Sequence, residues 1–270
     1  MLYDTHAHLC DAAFASDQEA VIGRALAAGV GRIICIGTDL DSSRACLALA
    51  DRHEAVYAAV GWHPSDADGA PDDLRPALRE LGAHRKVVAL GETGLDYTRL
   101  PSTQPGGTPA EDAACKQKQA ALFRQHLEVA EELGLNCVVH QRDSFADALA
   151  LVAPFAGRVR GVFHCFAGDP QELGRVLDLG GLVSFTGLLT FKNARNVRDA
   201  LAAAPMDRFM LETDCPYLAP TPFRGKRCEP SYLIETARAA AAVKGCSGEE
   251  VSAVTSRTAD DFFFRPRKPR

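Results

Sequence analysis

Residues 161–185 read GVFHCFAGDPQELGRVLDLGGLVSF, and this stretch decides the fold. It begins and ends with short apolar runs typical of buried strands, and it holds a helical segment, Gln171–Leu179, between them. Asp169 is placed to cap that helix, Pro170 suits its first turn, and Gly180 follows where a left-handed stop is needed. The stretch is therefore a strand–helix–strand unit of the kind that builds parallel sheets.

The same alternation runs along nearly the whole chain. The candidate strands are Leu2–His6, Arg32–Gly37, Val56–Trp62, Val87–Gly91, Asn136–His140, Gly161–His164, Leu182–Phe185 and Phe209–Glu212. The other helical segments are Gln18–Ala28, Ser43–Arg52 and Gln117–Leu133. Eight strands with helices between them predict an α/β protein, a single (β/α)₈ TIM barrel, with a doubly wound open sheet as the alternative if a strand is miscounted.

Domain boundaries follow from this pattern. Residues 1–264 are assigned to the barrel, and the basic ending 265–270, RPRKPR, to a disordered tail. The segment 101–110, PSTQPGGTPA, is expected to be a flexible loop, either a tolerated insertion or a lid over the site.

Charge and cysteine content limit the function classes. The chain of 270 residues has 30 basic and 35 acidic side chains, so it has no bulk positive charge with which to grip nucleic acid. A nucleic-acid enzyme that holds phosphates in another way is still allowed. Nine cysteines without a CxxC pair favour reduced, mostly buried thiols over disulfides or a zinc knuckle. With no leader pattern and no apolar run of about 18 residues, we expect a cytoplasmic protein without a membrane partner, and no obligate protein partner is evident.

Chemically active side chains recur where the predicted strands end. In a barrel the carboxyl ends of the strands form the catalytic rim. The candidates at these ends are His6, His8, His63, Glu92, His140, His164 and Asp214. We assign no chemistry to the three other histidines: His53 and His84 are expected to be solvated, and His126 to pack at the edge of the apolar stripe of its helix.

Six of these residues form a set of metal-ligand types. His6 and His8 stand two apart on a strand, so both imidazoles can face one cation. Alone this pair is a weak signal, but four histidines with Glu92 and Asp214 exceed what one ion needs, and a carboxylate can bridge two ions. Glu92, central in chain order, is the natural bridge, and Zn²⁺, Mn²⁺ and Mg²⁺ all remain open. The neighbouring Cys165 and Cys215 are expected to face away, because adjacent strand residues point to opposite faces.

The motifs together resemble a known family. They are DTHAHL (4–9), GWHP (61–64), GETGLDY (91–97), HQRD (140–143), HCFAG (164–168), ETDCPYLAP (212–220) and PFRGKR (222–227). In this order they resemble the TatD-type metal-dependent deoxyribonucleases of the amidohydrolase superfamily. The match extends over most of the chain, and the set is highly specific. The connection from Arg99 to Lys116 looks longer than is usual in the family.

The resemblance implies a TIM barrel with two divalent ions. It places His6, His8 and Asp214 on one ion and His140 and His164 on the other, with Glu92 shared between them. It further suggests that His63, Arg142 and Arg224 line the path of the substrate phosphates.

The leading hypothesis is a metal-dependent deoxyribonuclease. Two ions would activate a water for attack on a phosphodiester bond, with Glu92 and Asp214 as catalytic residues and Asp214 as the general base. The expected substrate is DNA with single-stranded or frayed ends. Exonucleolytic cleavage is the working expectation, although the sequence does not decide between end-directed and internal cutting.

Two alternatives remain open. The same chemistry would hydrolyse a small amide, ester or lactone, as an amidohydrolase does. Superfamily members with amide substrates often bridge their metals through a carboxylated lysine, whereas here Glu92 occupies that role and no lysine stands at a strand end. The third reading is a binding or scaffold protein that kept the barrel and lost catalysis.

Overall fold

The strands form one parallel sheet in chain order, as shown by a computed structural model that describes residues 1–264. The strands are β1 Leu2–Ala7, β2 Val30–Ile36, β3 Val56–Val60, β4 Val87–Asp96, β5 Asn136–Arg142, β6 Gly161–Phe163, β7 Leu182–Phe185 and β8 Phe209–Leu211. The helices are α1 Gln18–Ala27, α2 Leu40–Arg52, α3 Arg75–Gly82, α4 Pro109–Leu133, α5 Phe145–Val152, α6 Pro170–Asp178, α7 Arg195–Ala203, α8 Leu233–Lys244 and α9 Gly248–Phe263. The predicted (β/α)₈ barrel is confirmed.

Contacts between the first strand and the segment after the last one close the sheet. Ala7 bridges to Cys215, and the His8 backbone N–H donates to the Cys215 carbonyl at 2.8 Å. The buried Asp4 carboxylate accepts from the hydroxyl of Thr213 at 2.6 Å and from its N–H at 2.9 Å. Burial raises the pKa of Asp4 to about 7. These bonds hold the chain after β8 against β1, which brings the ends of both strands to one rim.

Two apolar layers follow from the alternation of strand side chains. Ile33 and Cys35 of β2 belong to the layer between strands and helices, whereas Ile34 and Ile36 belong to a second cluster. That second cluster also includes residues 262–263 from the end of α9. Phenylalanine rings therefore fill one part of the barrel interior, while the polar rim develops at the carboxyl ends of the strands.

The connection from β4 to α4 differs from the prediction. Helix α4 begins at Pro109, because Thr108 and Glu111 form a reciprocal capping box, so the segment 101–110 is not a loop throughout. The long Arg99–Lys116 connection is shortened in the same way. Pro101 and residues 104–107 line a cavity of about 420 Å³ together with Pro64, Ser65, Ala67 and Asp68, so this segment packs beside the loop that follows β3.

Two further expectations concern the chain as a whole. In the part of the chain that the structure describes, no helix combines the length and the apolar character needed to cross a membrane. All nine cysteines are free thiols and five of them are buried, in agreement with the reduced, mostly buried thiols that the sequence predicts. The basic tail proposed for 265–270 lies outside the described residues.

Candidate metal centre

A bulge in β4 carries the central carboxylate into the rim. Leu90 pairs with Cys137 and Thr93 pairs with Val139, so β4 advances three residues while β5 advances two. The irregular stretch contains Glu92, whose side chain is only 2 % exposed. Gly94 follows with φ of 142°, and a Cβ built there would lie 2.0 Å from the His140 carbonyl oxygen. A glycine is therefore required for β4 and β5 to approach closely here.

The two oxygens of Glu92 face two different groups of imidazoles. Oε1 lies 2.7 Å from His164 Nε2 and 2.9 Å from His140 Nδ1. Oε2 lies 3.4 Å from His6 Nε2 and 3.7 Å from His8 Nε2. Asp214 joins the second group, with Oδ1 at 3.4 Å from His8 Nε2. All six predicted ligands therefore meet in one cluster, with Glu92 at its centre.

The ring nitrogens face one another in a way that suits a cation. His6 Nε2 and His8 Nε2 are 3.2 Å apart, and so are His140 Nδ1 and His164 Nε2. Two imidazole nitrogens at this distance can share only one proton, and the carboxylates around them offer acceptors alone. Nitrogen lone pairs and carboxylate oxygens that converge in this way are the donors that zinc and manganese take in proteins. The residues therefore fit the divalent ions that the sequence implies.

The carboxylates of the cluster stay charged. Burial opposes this for Glu92, yet the positive charge of His164 and the hydrogen bond with His140 help to hold its pKa well below the usual range. The same holds for Asp214, where burial is outweighed by the hydrogen bond with His8 and the surrounding imidazoles acting together, so the pKa is lowered. Burial in turn lowers the pKa of His6 and favours its neutral form. Anionic carboxylates beside a neutral imidazole are the protonation states that cation binding requires.

His63 lies in the cluster itself. Its Nδ1 accepts from the Ser65 backbone N–H at 3.1 Å, so the neutral ring carries its proton on Nε2. That nitrogen lies 3.3 Å from His140 Nδ1 and 3.6 Å from Glu92 Oε1. Burial lowers the pKa of His63 to about 4. The ring is therefore a neutral hydrogen-bond donor aimed into the site.

Two acidic residues that the sequence analysis missed contact the candidate ligands. Asp96 Oδ2 lies 3.2 Å from His140 Nε2, which leaves Nδ1 of that ring directed at the cluster. Glu212 Oε1 accepts from the Cys165 N–H at 2.7 Å and lies 3.6 Å from His164 Nδ1. Asp96 was missed because the strand was expected to end at Gly91. A longer strand would have placed Asp96 four residues after Glu92, on the same face.

His126, expected to pack at the edge of the apolar stripe of its helix, does pack inward and is buried more deeply than an edge position. The ring is fully buried, with Nδ1 donating to the Leu122 carbonyl at 2.7 Å and Nε2 accepting from the Trp62 N–H at 3.1 Å. Burial lowers its pKa to about 4. His126 thus fixes the backbone next to His63. The outward placement expected for His53 and His84 agrees with their contacts, which are 3.0 Å to Glu19 and 3.3 Å to Asp51, both at the protein surface.

The two predicted arginines stand apart from the cluster. Arg142 is exposed at the end of β5, and the Arg224 guanidinium lies 3.5 Å from the centre of the Phe191 ring. Within residues 1–264 neither guanidinium makes a hydrogen bond or ion pair with the six ligands. Their contact with substrate phosphates stays a prediction.

The cysteines next to the ligands take no part in the cluster. Cys215 is fully buried, and Cys165 Sγ lies 3.7 Å from the hydroxyl of Thr186. Burial raises the pKa of both thiols, so both stay protonated. Neither belongs to a candidate ligand group in the described part of the chain, which agrees with the expected outcome, although both residues lie beyond the ends of their strands.

Backbone strain marks the same rim. Asp143, Cys165 and Asp214 have φ of 53°, 47° and 56°, a left-handed conformation that is costly for residues other than glycine. Each follows a strand that leads to a proposed ligand or substrate contact, namely β5, β6 and β8. Strained residues of this kind cluster at functional sites, because the surrounding structure holds them there.

Comparison with known proteins agrees with the rim geometry. The sequence model of a family described as TatD related DNase matches residues 3–264. The chain belongs to the TatD family of metal-dependent hydrolases. Its TatD relatives include a protein from Bacillus subtilis named uncharacterized metal-dependent hydrolase YabD, which is 37% identical over 264 residues that cover 97% of this chain and 99% of the relative.

A second TatD relative carries a more specific name. It is the 3'-5' ssDNA/RNA exonuclease TatD of Cronobacter sakazakii, 34% identical over 275 residues that cover 99% of this chain and 100% of the relative. Among solved structures, the TatD homologue YJJV of Escherichia coli superimposes with a TM-score of 0.87 at 28% identity, covering 98% of each chain. The fold and the family are therefore shown over nearly the full length.

Proposed function

We propose that this protein is a deoxyribonuclease that hydrolyses phosphodiester bonds at single-stranded or frayed DNA ends, with two divalent ions as cofactors. The observation that carries the proposal is the central Glu92, whose two oxygens face two separate groups of imidazoles. That arrangement suits two cation positions about one carboxylate. The name of the Cronobacter relative supports a nucleic-acid substrate and removal of nucleotides from the 3' end.

The chain's own residues divide the chemistry among them. When bound, divalent ions at such a site neutralise phosphate oxygens and acidify the attacking water. Glu92 is deeply buried and anionic, which suits a ligand rather than a proton carrier. Asp214 is 14 % exposed and also anionic, so water can reach it. We assign to its second oxygen, Oδ2, the proton that leaves the attacking water.

His63 supplies a hydrogen bond without a charge of its own. Because the Ser65 N–H occupies Nδ1, the Nε2–H of the neutral ring can donate to a phosphate oxygen or to the leaving oxygen. Arg142 and Arg224, both exposed, are proposed to hold the flanking phosphates. This local positive charge explains how a chain of net charge −5 can act on a polyanion.

The site offers less support for amide hydrolysis through a carboxylated lysine. The buried lysine of the barrel, Lys86, lies just before β4, at the opposite end of that strand from the rim. Its Nζ donates to three backbone carbonyls, at 2.9, 3.0 and 3.2 Å. It therefore has a structural role far from the ligands, and Glu92 remains the bridging group.

A substrate panel tests the proposal. The purified protein, supplied with Mg²⁺, Mn²⁺ or Zn²⁺, is given 5'-labelled single-stranded, frayed and blunt duplex DNA beside an amide, ester and lactone panel. We expect a ladder of products that shortens from the 3' end of single-stranded and frayed DNA, abolished by a chelator and restored by metal.

Matched variants separate the site from contaminating activity. Asp214→Asn should lose cleavage, whereas Glu80→Gln, on the exposed face of α3, should behave as wild type. Turnover of an amide or lactone without DNA cleavage would overturn the proposed substrate. Internal cutting without a 3' ladder would overturn only the exonuclease part.

A further inference from the structure

Three cysteine sulfur atoms meet outside the candidate metal centre. Cys10 lies in the loop after β1, Cys35 in β2 and Cys46 in α2. Cys10 Sγ is 3.8 Å from Cys35 Sγ, and Cys35 Sγ is 3.1 Å from Cys46 Sγ. All three sulfur atoms lie within 4.8 Å of one another. The phosphodiester chemistry proposed above uses none of them.

The cluster is held by rigid elements and has one side open to solvent. Cys35 and Cys46 are fully buried, on a strand inside the sheet and on a helix of 13 residues. Cys10 is partly exposed, so an ion could reach the sulfur atoms through the loop. A ligand set on regular elements keeps its geometry better than one on loops alone.

The spacing of the sulfur atoms is close to that of a three-coordinate thiolate site. Metal–sulfur bonds of about 2.3 Å put the corners of a planar three-sulfur site about 4.0 Å apart. The Cys10–Cys35 distance of 3.8 Å already matches, and the Cys35–Cys46 distance of 3.1 Å would widen by about 0.9 Å. A side-chain rotation of that size needs no change in β2 or α2.

The donor type selects the ion. Thiolates are soft ligands that select Cu(I) or zinc, whereas the imidazoles and carboxylates of the main centre suit harder divalent ions. Zinc in structural sites takes four ligands, and the group found in the described residues offers three. Cu(I) is satisfied by three sulfur donors, and its binding would release the thiol protons.

We propose that Cys10, Cys35 and Cys46 form a binding site for a soft monovalent cation, with Cu(I) as its representative. Cys10 follows His8 by two residues. A bound ion would therefore tie the loop after β1 to β2 and α2, beside the divalent centre but with a separate ligand set.

The test is an anaerobic titration of the divalent-loaded protein with Cu(I), in competition with a chromogenic Cu(I) chelator. We expect one equivalent of Cu(I) per chain, a thiolate-to-copper absorption band, and three sulfur neighbours at about 2.3 Å by X-ray absorption. Cys10→Ser and Cys46→Ala should each weaken Cu(I) binding by about 100-fold or more, because each removes a direct ligand. Cys137→Ala, which removes a buried thiol of β5 outside the cluster, is the matched control.

Three results would overturn the site. The first is that Cys10→Ser and Cys46→Ala bind Cu(I) as tightly as wild type does, which would locate the ion at the histidines of the candidate metal centre. Another is wild-type protein that takes no Cu(I) from the chelator. The third is a Cys35–Cys46 disulfide already present in the purified protein before copper is added, since it would leave only one thiol for the ion. Circular dichroism checks that Cys46→Ala is folded. If Cys46→Ala does not fold, Cys10→Ser still tests the site, because Cys10 is partly exposed and its replacement does not disturb the core.

Discussion

Replacing His126 by glutamine should remove part of the stability loss that the protein undergoes in acid. The ring is fully buried, and both its nitrogens are used within the neutral form, by Leu122 and Trp62. Protonation would put a charge in the core and remove the acceptor for the Trp62 N–H. Glutamine offers an amide that carries no charge at any of these pH values.

The size of this stability loss follows from the lowered pKa of His126. His126 titrates at about 4 in the folded protein and at its ordinary value of 6.5 when unfolded. The unfolded chain therefore binds more protons between these values, so the stabilisation is complete above pH 6.5 and is lost as pH falls towards 4. Between pH 7.5 and pH 5 the loss is about 2 kcal/mol, or a few degrees in Tm for a chain of this size.

Urea unfolding at pH 7.5, 6.5, 5.5 and 5 measures this slope for both proteins. The unfolding free energy of His126→Gln should fall by about 2 kcal/mol less than that of wild type over the range. His53→Gln, which removes an imidazole outside the core, is the matched control and should leave the His126-dependent part of the slope in place. If His126→Gln loses stability as steeply as wild type, the neutral buried imidazole is not the source.

Three further changes probe the rim. Asp96→Asn should lower metal affinity or activity about 10- to 100-fold, because it loosens the orientation of His140. Metal titration and single-stranded DNA turnover measure the two effects. Unchanged values would show that Asp96 does not act on the site. Gly94→Ala should cost about 3 kcal/mol or more in urea unfolding, because φ is 142° and the new Cβ would strike the His140 carbonyl; a stable variant would contradict the close approach. Arg142→Ala and Arg224→Ala should each raise KM for single-stranded DNA. Each should also reduce by about one the slope of the logarithm of the DNA-binding constant against the logarithm of the salt concentration. An unchanged slope would exclude a phosphate contact.

The barrel could be predicted because its signal is local and repeated. Each strand–helix unit carries its own apolar run and its own residues that begin and end the helix. Errors of a few residues at element ends therefore leave the architecture unchanged. The beginning of α4 was missed because its capping box, Thr108 and Glu111, lies in a stretch rich in proline and glycine. Such a stretch resembles a loop until the helix beyond it is seen.

The six candidate residues could be singled out because their residue types are unusual at strand ends, and the structure brings all six together. The sequence could not predict how the acidic and neutral side chains around the candidate site, such as Asp96 and His126, are oriented. The role of Asp96 depends on the extension of β4 beyond Gly91 beside His140, and that of His126 depends on a helix packing behind Trp62. Both arise from contacts between segments that are far apart in the chain.

The most direct test of the proposed two-cation centre is the metal content and hydrolysis rate of Glu92→Gln beside wild type. Elemental analysis after equilibration with the activating metal should find two divalent ions per wild-type chain and at most one in the variant. Single-stranded DNA hydrolysis should fall about a thousandfold or more, since several kcal/mol of transition-state stabilisation is removed. A folded Glu92→Gln protein that keeps two ions and the full wild-type rate would contradict the account.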